Sequence, residues 1–160
     1  IDGVTEGQLC TVMLARDLLD NDQPVLIFNS DTYFKSPLAS MLEQLDADVQ
    51  GVISVFRAFE SRWSFARVSG EGLITEVQEK MPISEWATTG AYYFARGKQF
   101  LYYADKLIKE NIRTNGEFYV GPLYNLMIKD GAKIYPDYVR EVGVMGTPED
   151  LEAFLTQRRG

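Results

Sequence analysis

No histidine occurs in the 160 residues. That absence excludes Ser-His-Asp triads, imidazole acid–base chemistry and zinc sites built on imidazole. Cysteine occurs once, as Cys10, so no internal disulfide framework exists. The chain therefore fits a reducing compartment, with the cytoplasm as the expectation. No apolar run approaches the ~20 residues of a membrane span, and no basic segment precedes a hydrophobic one, so no membrane partner is expected. Lysine and arginine are outnumbered by acids, 16 to 23, for a net charge of -7. That balance argues against a nucleic-acid polymer, whose binding relies on a basic surface. Any catalysis must rest on carboxylates, lysines, backbone amides and metal, which favours phosphoryl or nucleotidyl transfer.

What is present reads as one α/β unit over residues 1–160, with no repeat, low-complexity tract or linker. It is organised around residues 24–34, PVLIFNSDTYF. The apolar run predicts a strand buried on both faces inside a parallel sheet. A turn-like opening, residues 1–7, precedes a helix over 8–19, and a second helix follows Pro37 over 38–45. Residues 49–56 repeat the continuous apolar pattern. Residues 62–68 and 73–78 alternate around Gly70-Glu71-Gly72 and predict a hairpin, so the sheet is mixed. A third apolar strand spans 87–95, then helices 97–110 and 120–129, short strands 132–135 and 139–144, and a final helix from Pro148 to about residue 157. The class is a Rossmann-like α/β fold, a mixed, mostly parallel sheet flanked by helices. Because the order opens with a helix where a strand is normal, the unit is expected to be incomplete at its N-terminus.

Several stretches could carry chemistry. Asn29, Ser30 and Asp31 follow the strand at the edge where α/β sheets bind ligands. There Asp31 either caps a turn or holds Mg²⁺ against phosphate oxygens. Gly7, at a helix start, permits close approach to a ligand or is an ordinary pre-helix glycine. Glu79-Lys80 ends a strand: either a solvated ion pair, or a hydroxyl acceptor beside a point charge for phosphate. Gly90, in Thr88-Thr89-Gly90, marks a bulge or a ligand's close approach.

Taken in order, TEGQLCTVMLA, PVLIFNSD, WSFARVSGEGLITEVQEK, ATTGAYYF and GTPEDLEAF resemble the sugar-phosphate nucleotidylyltransferase family over nearly the whole chain. The resemblance is nearest to bacterial members from capsule and surface-polysaccharide pathways. It implies a glycosyltransferase-A-like fold, Mg²⁺ as cofactor, and condensation of a nucleoside triphosphate with a sugar 1-phosphate or another phosphorylated alcohol. By resemblance Gly7 packs on the nucleotide base, Asn29 and Asp31 meet the nucleotide, and Asp31 binds the metal. Glu79 takes sugar hydroxyls, Lys80 meets the sugar phosphate, Thr89 and Gly90 line the sugar pocket, and Ser64 falls where many members have a sugar-contacting glycine. The resemblance makes Asp31 and Lys80 the expected catalytic residues.

Two departures accompany the resemblance. The family's opening strand and glycine-rich triphosphate loop have no counterpart in residues 1–7, so the chain is expected to be the later part of a catalytic domain and poorly active alone. The family's second metal-binding aspartate, two residues before Gly-Thr, is here Val144; either another acid such as Glu117 or Glu141 substitutes, Glu117 being the candidate, or metal binding is weaker. Two other classes stay open: a non-catalytic nucleotide-sugar-binding or regulatory homologue, and a glycosyltransferase of related fold. An unpaired sheet edge would also allow a homo-oligomer.

Overall fold

The computed structural model describes residues 3–159, so positions 1 and 2 of the turn-like opening lie outside the described residues. Its centre is a six-stranded sheet in which β3 (Val49–Arg57) and β6 (Trp86–Phe94) lie side by side, each nine residues long and largely buried. β7 (Lys133–Tyr138) runs parallel to β3 on its other side. Along the remaining edge of β6, β4 (Ser64–Val68) meets its first half and β1 (Val25–Phe28) its second, both antiparallel. β5 (Ile74–Glu79) closes the expected hairpin with β4.

The α/β class and the mixed, helix-flanked sheet hold. Two finer expectations are corrected. Among the described residues only β3 and β7 pair in parallel, so the sheet is mostly antiparallel. β1 is not buried on both faces either. Among the described residues it pairs with β6 alone, and Leu26 and Phe28 are each 51% exposed. Successive strand residues face opposite sides. Ile27 enters the helix-covered core, whereas Leu26 and Phe28 lie on the other face, where the Phe28 ring is 5.2 Å from that of Phe34. An unbroken apolar run carries no alternation from which this could be read.

The core lies between the sheet and α4 (Gly97–Lys109) with α5 (Leu123–Lys129). Phe100, Leu101, Ala104 and Leu107 form the buried stripe of α4, as the 3.6-residue period predicts. Burying each large side chain contributes about 1.5–3 kcal/mol. The ring of Phe94 is sandwiched by Phe100 at 5.0 Å and Tyr124 at 4.7 Å, and the Tyr124 hydroxyl donates to the Tyr93 carbonyl at 2.8 Å. Asn125 of α5 clamps the edge strand β5, accepting from Val77 N–H at 2.8 Å and donating to Val77 C=O at 2.7 Å. The expected helix over 8–19 is two short ones, α1 (Gln8–Met13) and α2 (Arg16–Leu19). Between them the bonds from Leu14 N–H to Thr11 C=O and Ala15 N–H to Val12 C=O tighten to three-residue spacing, which ends an α-helix.

A pairing not foreseen completes the fold. β2 (Thr32–Lys35) and β8 (Glu141–Val144) form a separate antiparallel ribbon, Thr32 opposite Val144. α6 (Pro148–Arg159) sets Phe154 against Gly143 on this ribbon and 5.3 Å from the ring of Tyr33. α3 (Leu38–Leu42) follows β2. No helix among the described residues is long and apolar enough to cross a membrane.

Candidate functional site

The ends of β1, β5 and β4 and the middle of β6 surround an open cavity of about 570 Å³. Its lining includes Asn29, Asp31, Ser64, Glu79, Lys80, Thr89 and Gly90, so seven residues singled out in four separate stretches of sequence converge on one space.

One wall is buried. In β6 three residues, Thr89-Gly90-Ala91, lie opposite the single Ser54 of β3, since Val55 pairs with Thr88 and Ile53 with Tyr92. Gly90 sits in this bulge at φ +83°, and any Cβ there would run into the Asn29 side chain. Asn29 N–H in turn donates to the Gly90 carbonyl at 3.2 Å. Glycine is required here on both counts, conformation and space. Glu79 is 7% exposed and its Oε2 accepts the Ser64 hydroxyl. Burial pushes the Glu79 carboxyl above its ordinary value, while the Ser64 bond and the nearby Lys80 charge oppose the shift. Gly121 leaves the room that Glu79 Oε1 uses, because a Cβ there would lie 2.7 Å from it.

The charged lining residues Asp31 and Lys80 are exposed. Asp31 is exposed, its Oδ1 accepting from Thr32 Oγ1 at 3.3 Å, and among the described residues its Oδ2 takes no hydrogen bond. Its carbonyl accepts from Met145 N–H at 2.8 Å, which ties it to the end of β8. Lys80 holds a left-handed φ of +55°. This turns its exposed side chain out of the strand's alternation, so it lines the cavity together with its neighbour Glu79. Its Nζ lies 5.6 Å from the centroid of the Tyr119 ring.

Two candidates are placed elsewhere. Gly7 is not among the lining residues. Its φ is +119°, and a Cβ there would lie 2.5 Å from the Phe118 backbone. Glu117 is also outside the lining, its carboxylate accepting the Tyr119 hydroxyl at 2.8 Å. Among the described residues no group of three or more acidic, cysteine or histidine side chains is placed to hold a metal. Val144 does line the cavity, opposite Thr32, so the position where the resemblance expects a second carboxylate is apolar at the site itself. A single exposed carboxylate with an unengaged oxygen fits Mg²⁺ only where phosphate oxygens complete its shell.

Residues not anticipated also line the space. Gln8 bridges two elements, donating through Nε2 to Asn29 Oδ1 at 2.5 Å and accepting from Val120 N–H at 3.3 Å. Tyr92 and Thr88 share a hydroxyl hydrogen bond of 3.1 Å, and burial raises the Tyr92 hydroxyl pKa strongly, so it stays protonated. Arg62 stacks 4.6 Å over Trp63 at the rim. Aromatic residues in an apolar strand read as core, and only Gln8, at the helix start beside Gly7, carried any signal.

The description of the family whose model matches residues 3–120 is nucleotidyl transferase. A nucleoside-diphosphate-sugar pyrophosphorylase from Vibrio cholerae RC9 superposes with a TM-score of 0.81 at 30% identity, over 98% of this chain and 68% of that one. A Bacillus anthracis protein described as a glucose-1-phosphate thymidylyltransferase, solved with sucrose, gives 0.74 at 19% identity over 96% and 61%. A UDP-glucose pyrophosphorylase complexed with UDP-glucose gives 0.74 at 13% over 98% and 64%. The last two speak to the fold alone. The chain thus spans between 61% and 68% of the length of these proteins. No curated protein sequence matches it.

Proposed function

Because this chain belongs to the nucleotidyl transferase family, we propose that its parent protein joins a nucleoside monophosphate to a sugar 1-phosphate. Residues 1–160 form one domain in this reading, the later part of the catalytic domain. A phosphate oxygen of the sugar 1-phosphate attacks the α-phosphorus of a nucleoside triphosphate. The bond from that phosphorus to the bridging oxygen breaks, and pyrophosphate leaves with the electron pair. Mg²⁺ would neutralise triphosphate charge when bound, held by Asp31 and phosphate oxygens.

The other roles follow from the two sides of the cavity. Glu79, buried and already bonded to Ser64, accepts sugar hydroxyls. Lys80, flexible and charged, meets the sugar phosphate. Thr89 and the Gly90 backbone line the sugar, and Asn29 supports both Gly90 and the nucleotide end. The observation that carries this reading is the convergence of Asp31, Glu79, Lys80 and Gly90 on one cavity. The sequence resemblance extends the proposal to surface-polysaccharide precursor synthesis; the lone cysteine favours the cytoplasm as its site, and an unpaired sheet edge favours a homo-oligomer.

The deciding experiment supplies the full-length parent with a nucleoside triphosphate, a sugar 1-phosphate and Mg²⁺. Pyrophosphate release that Asp31→Asn abolishes is the expected result. Release of a nucleoside diphosphate from a nucleotide sugar would instead identify a glycosyltransferase. Val144 at the cavity favours one second reading, a homologue that binds nucleotide sugar without turning it over. Calorimetric binding of nucleotide sugar with no pyrophosphate released would establish it.

A further inference from the structure

Asp137 is a buried carboxylate outside the cavity lining. It is 1% exposed, on β7 opposite Ser54 of β3. Its Oδ2 accepts hydroxyls from two directions, Ser54 at 2.6 Å and Ser36. Its Oδ1 is buried without a hydrogen-bond partner among the described residues. A half-satisfied buried carboxylate is unfavourable, and an apolar side chain of similar size would pack there at less cost. Packing therefore does not explain an aspartate at this position.

Its two partners do. Ser36 follows the last residue of β2, the strand that begins immediately after Asp31. Its hydroxyl oxygen also accepts Leu38 N–H at 2.8 Å, which turns the chain into α3. Ser54 is the single residue opposite the Thr89-Gly90-Ala91 bulge, and its carbonyl accepts Thr89 Oγ1 at 3.3 Å. Ser54 points away from the helix-covered face, because Ile53 and Val55 on either side of it enter that core and strand neighbours alternate. Asp137 thus joins the arm bearing Asp31 to the bulge that holds Gly90. The arm needs such a fixture, since a ribbon of two four-residue strands is marginal by itself.

We propose that Asp137 is a positioning residue, holding the arm of Asp31 to the Gly90 bulge through Ser36 and Ser54 and thereby setting the metal affinity of Asp31. The inference rests on the metal role of Asp31 proposed above. The test titrates Mn²⁺, followed by its electron paramagnetic resonance signal, into the chain with tripolyphosphate present. Asp137→Asn and Ser36→Ala each weaken Mn²⁺ binding about tenfold, the usual cost of losing a group that orients a ligand. Ser36→Thr, which keeps the hydroxyl, restores it. Asn125→Ala, which unclamps Val77 at the far edge, serves as the control: it lowers the melting temperature and leaves Mn²⁺ affinity in place. Hydrogen exchange of the amides of residues 32–35 accelerates in Ser36→Ala while that of β3 does not.

Unchanged Mn²⁺ affinity in Ser36→Ala and Asp137→Asn, or an equal loss in Asn125→Ala, overturns the inference. If Asp137→Asn does not fold, Ser36→Ala and its threonine rescue decide alone. Loss of Mn²⁺ binding in Asp31→Asn with none in the Ser36 and Asp137 variants sinks this inference only. Full Mn²⁺ binding in Asp31→Asn sinks the metal role and this inference together.

Discussion

The two sides of the cavity are built on opposite terms. The Glu79–Gly90 wall belongs to the central sheet, with Glu79, Thr88 and Thr89 buried and engaged in hydrogen bonds. The Asp31–Lys80 side is exposed, and half of it hangs on a ribbon eight residues in extent. A rigid, desolvated wall suits recognition of neutral hydroxyls, because a missing partner there leaves a buried group unpaired. An exposed, charged side suits phosphates and a metal ion, whose hydration is costly to strip. Precision and charge are thus divided between a deep layer and a shallow one.

Substitutions on each side test that division. The largest effect is expected from Gly90→Ala. Left-handed backbone and overlap with Asn29 together cost about 2 kcal/mol or more, lowering the melting temperature by roughly 4–8 °C and closing the wall. A thermal melt indistinguishable from wild type would show the wall to be as pliable as the ribbon. Next, Val144→Asp sets a second carboxylate beside Thr32 on the shallow side. It should tighten Mn²⁺–tripolyphosphate binding on the order of tenfold, since ligand charge count governs such affinities. No change in calorimetry would place Val144 out of reach of the Asp31 metal.

Glu79 sharpens the contrast through pH. Its carboxyl titrates above the ordinary 4.5, chiefly through burial, so the folded chain holds this proton more tightly than the unfolded one. Its contribution to stability is therefore present below pH 4.5 and declines as pH rises through the native value. Urea denaturation across that window should show wild type losing stability relative to Glu79→Gln, and parallel profiles would remove the desolvation argument. The smallest effect is expected from Lys80→Gly. Relief of the left-handed strain, about 1 kcal/mol, is partly cancelled by glycine's greater freedom when unfolded, about 0.5–1 kcal/mol. Stability then stays within roughly 0.5 kcal/mol while tripolyphosphate binding weakens, and a large stability change would assign Lys80 to the scaffold.

Much of the fold was legible because period and punctuation are local. β3, β6, the β4–β5 hairpin and α4 fall within a residue or two of their expected bounds, each written in its own apolar spacing. The exposure of Leu26 and Phe28 in β1 was not legible, since a run such as VLIF reads alike whether one face is covered or two. The β2–β8 ribbon was hidden for another reason: its strands are about a hundred residues apart and four long, so neither carries a pattern strong enough to announce the other. Glu117 and Gly7, also singled out in sequence, lie outside the cavity lining, where Glu117 accepts from Tyr119 and Gly7 packs on Phe118.

The amino-acid order by itself determined the chemistry available: no imidazole, no disulfide, an acidic surface, and short polar turns after apolar strands, all consequences of composition and nearest neighbours. Only the tertiary structure decided which of those turns face one another. That choice depends on strand order, on a bulge opposite Ser54 and on a buried Asp137, and these are long-range contacts that no local pattern encodes.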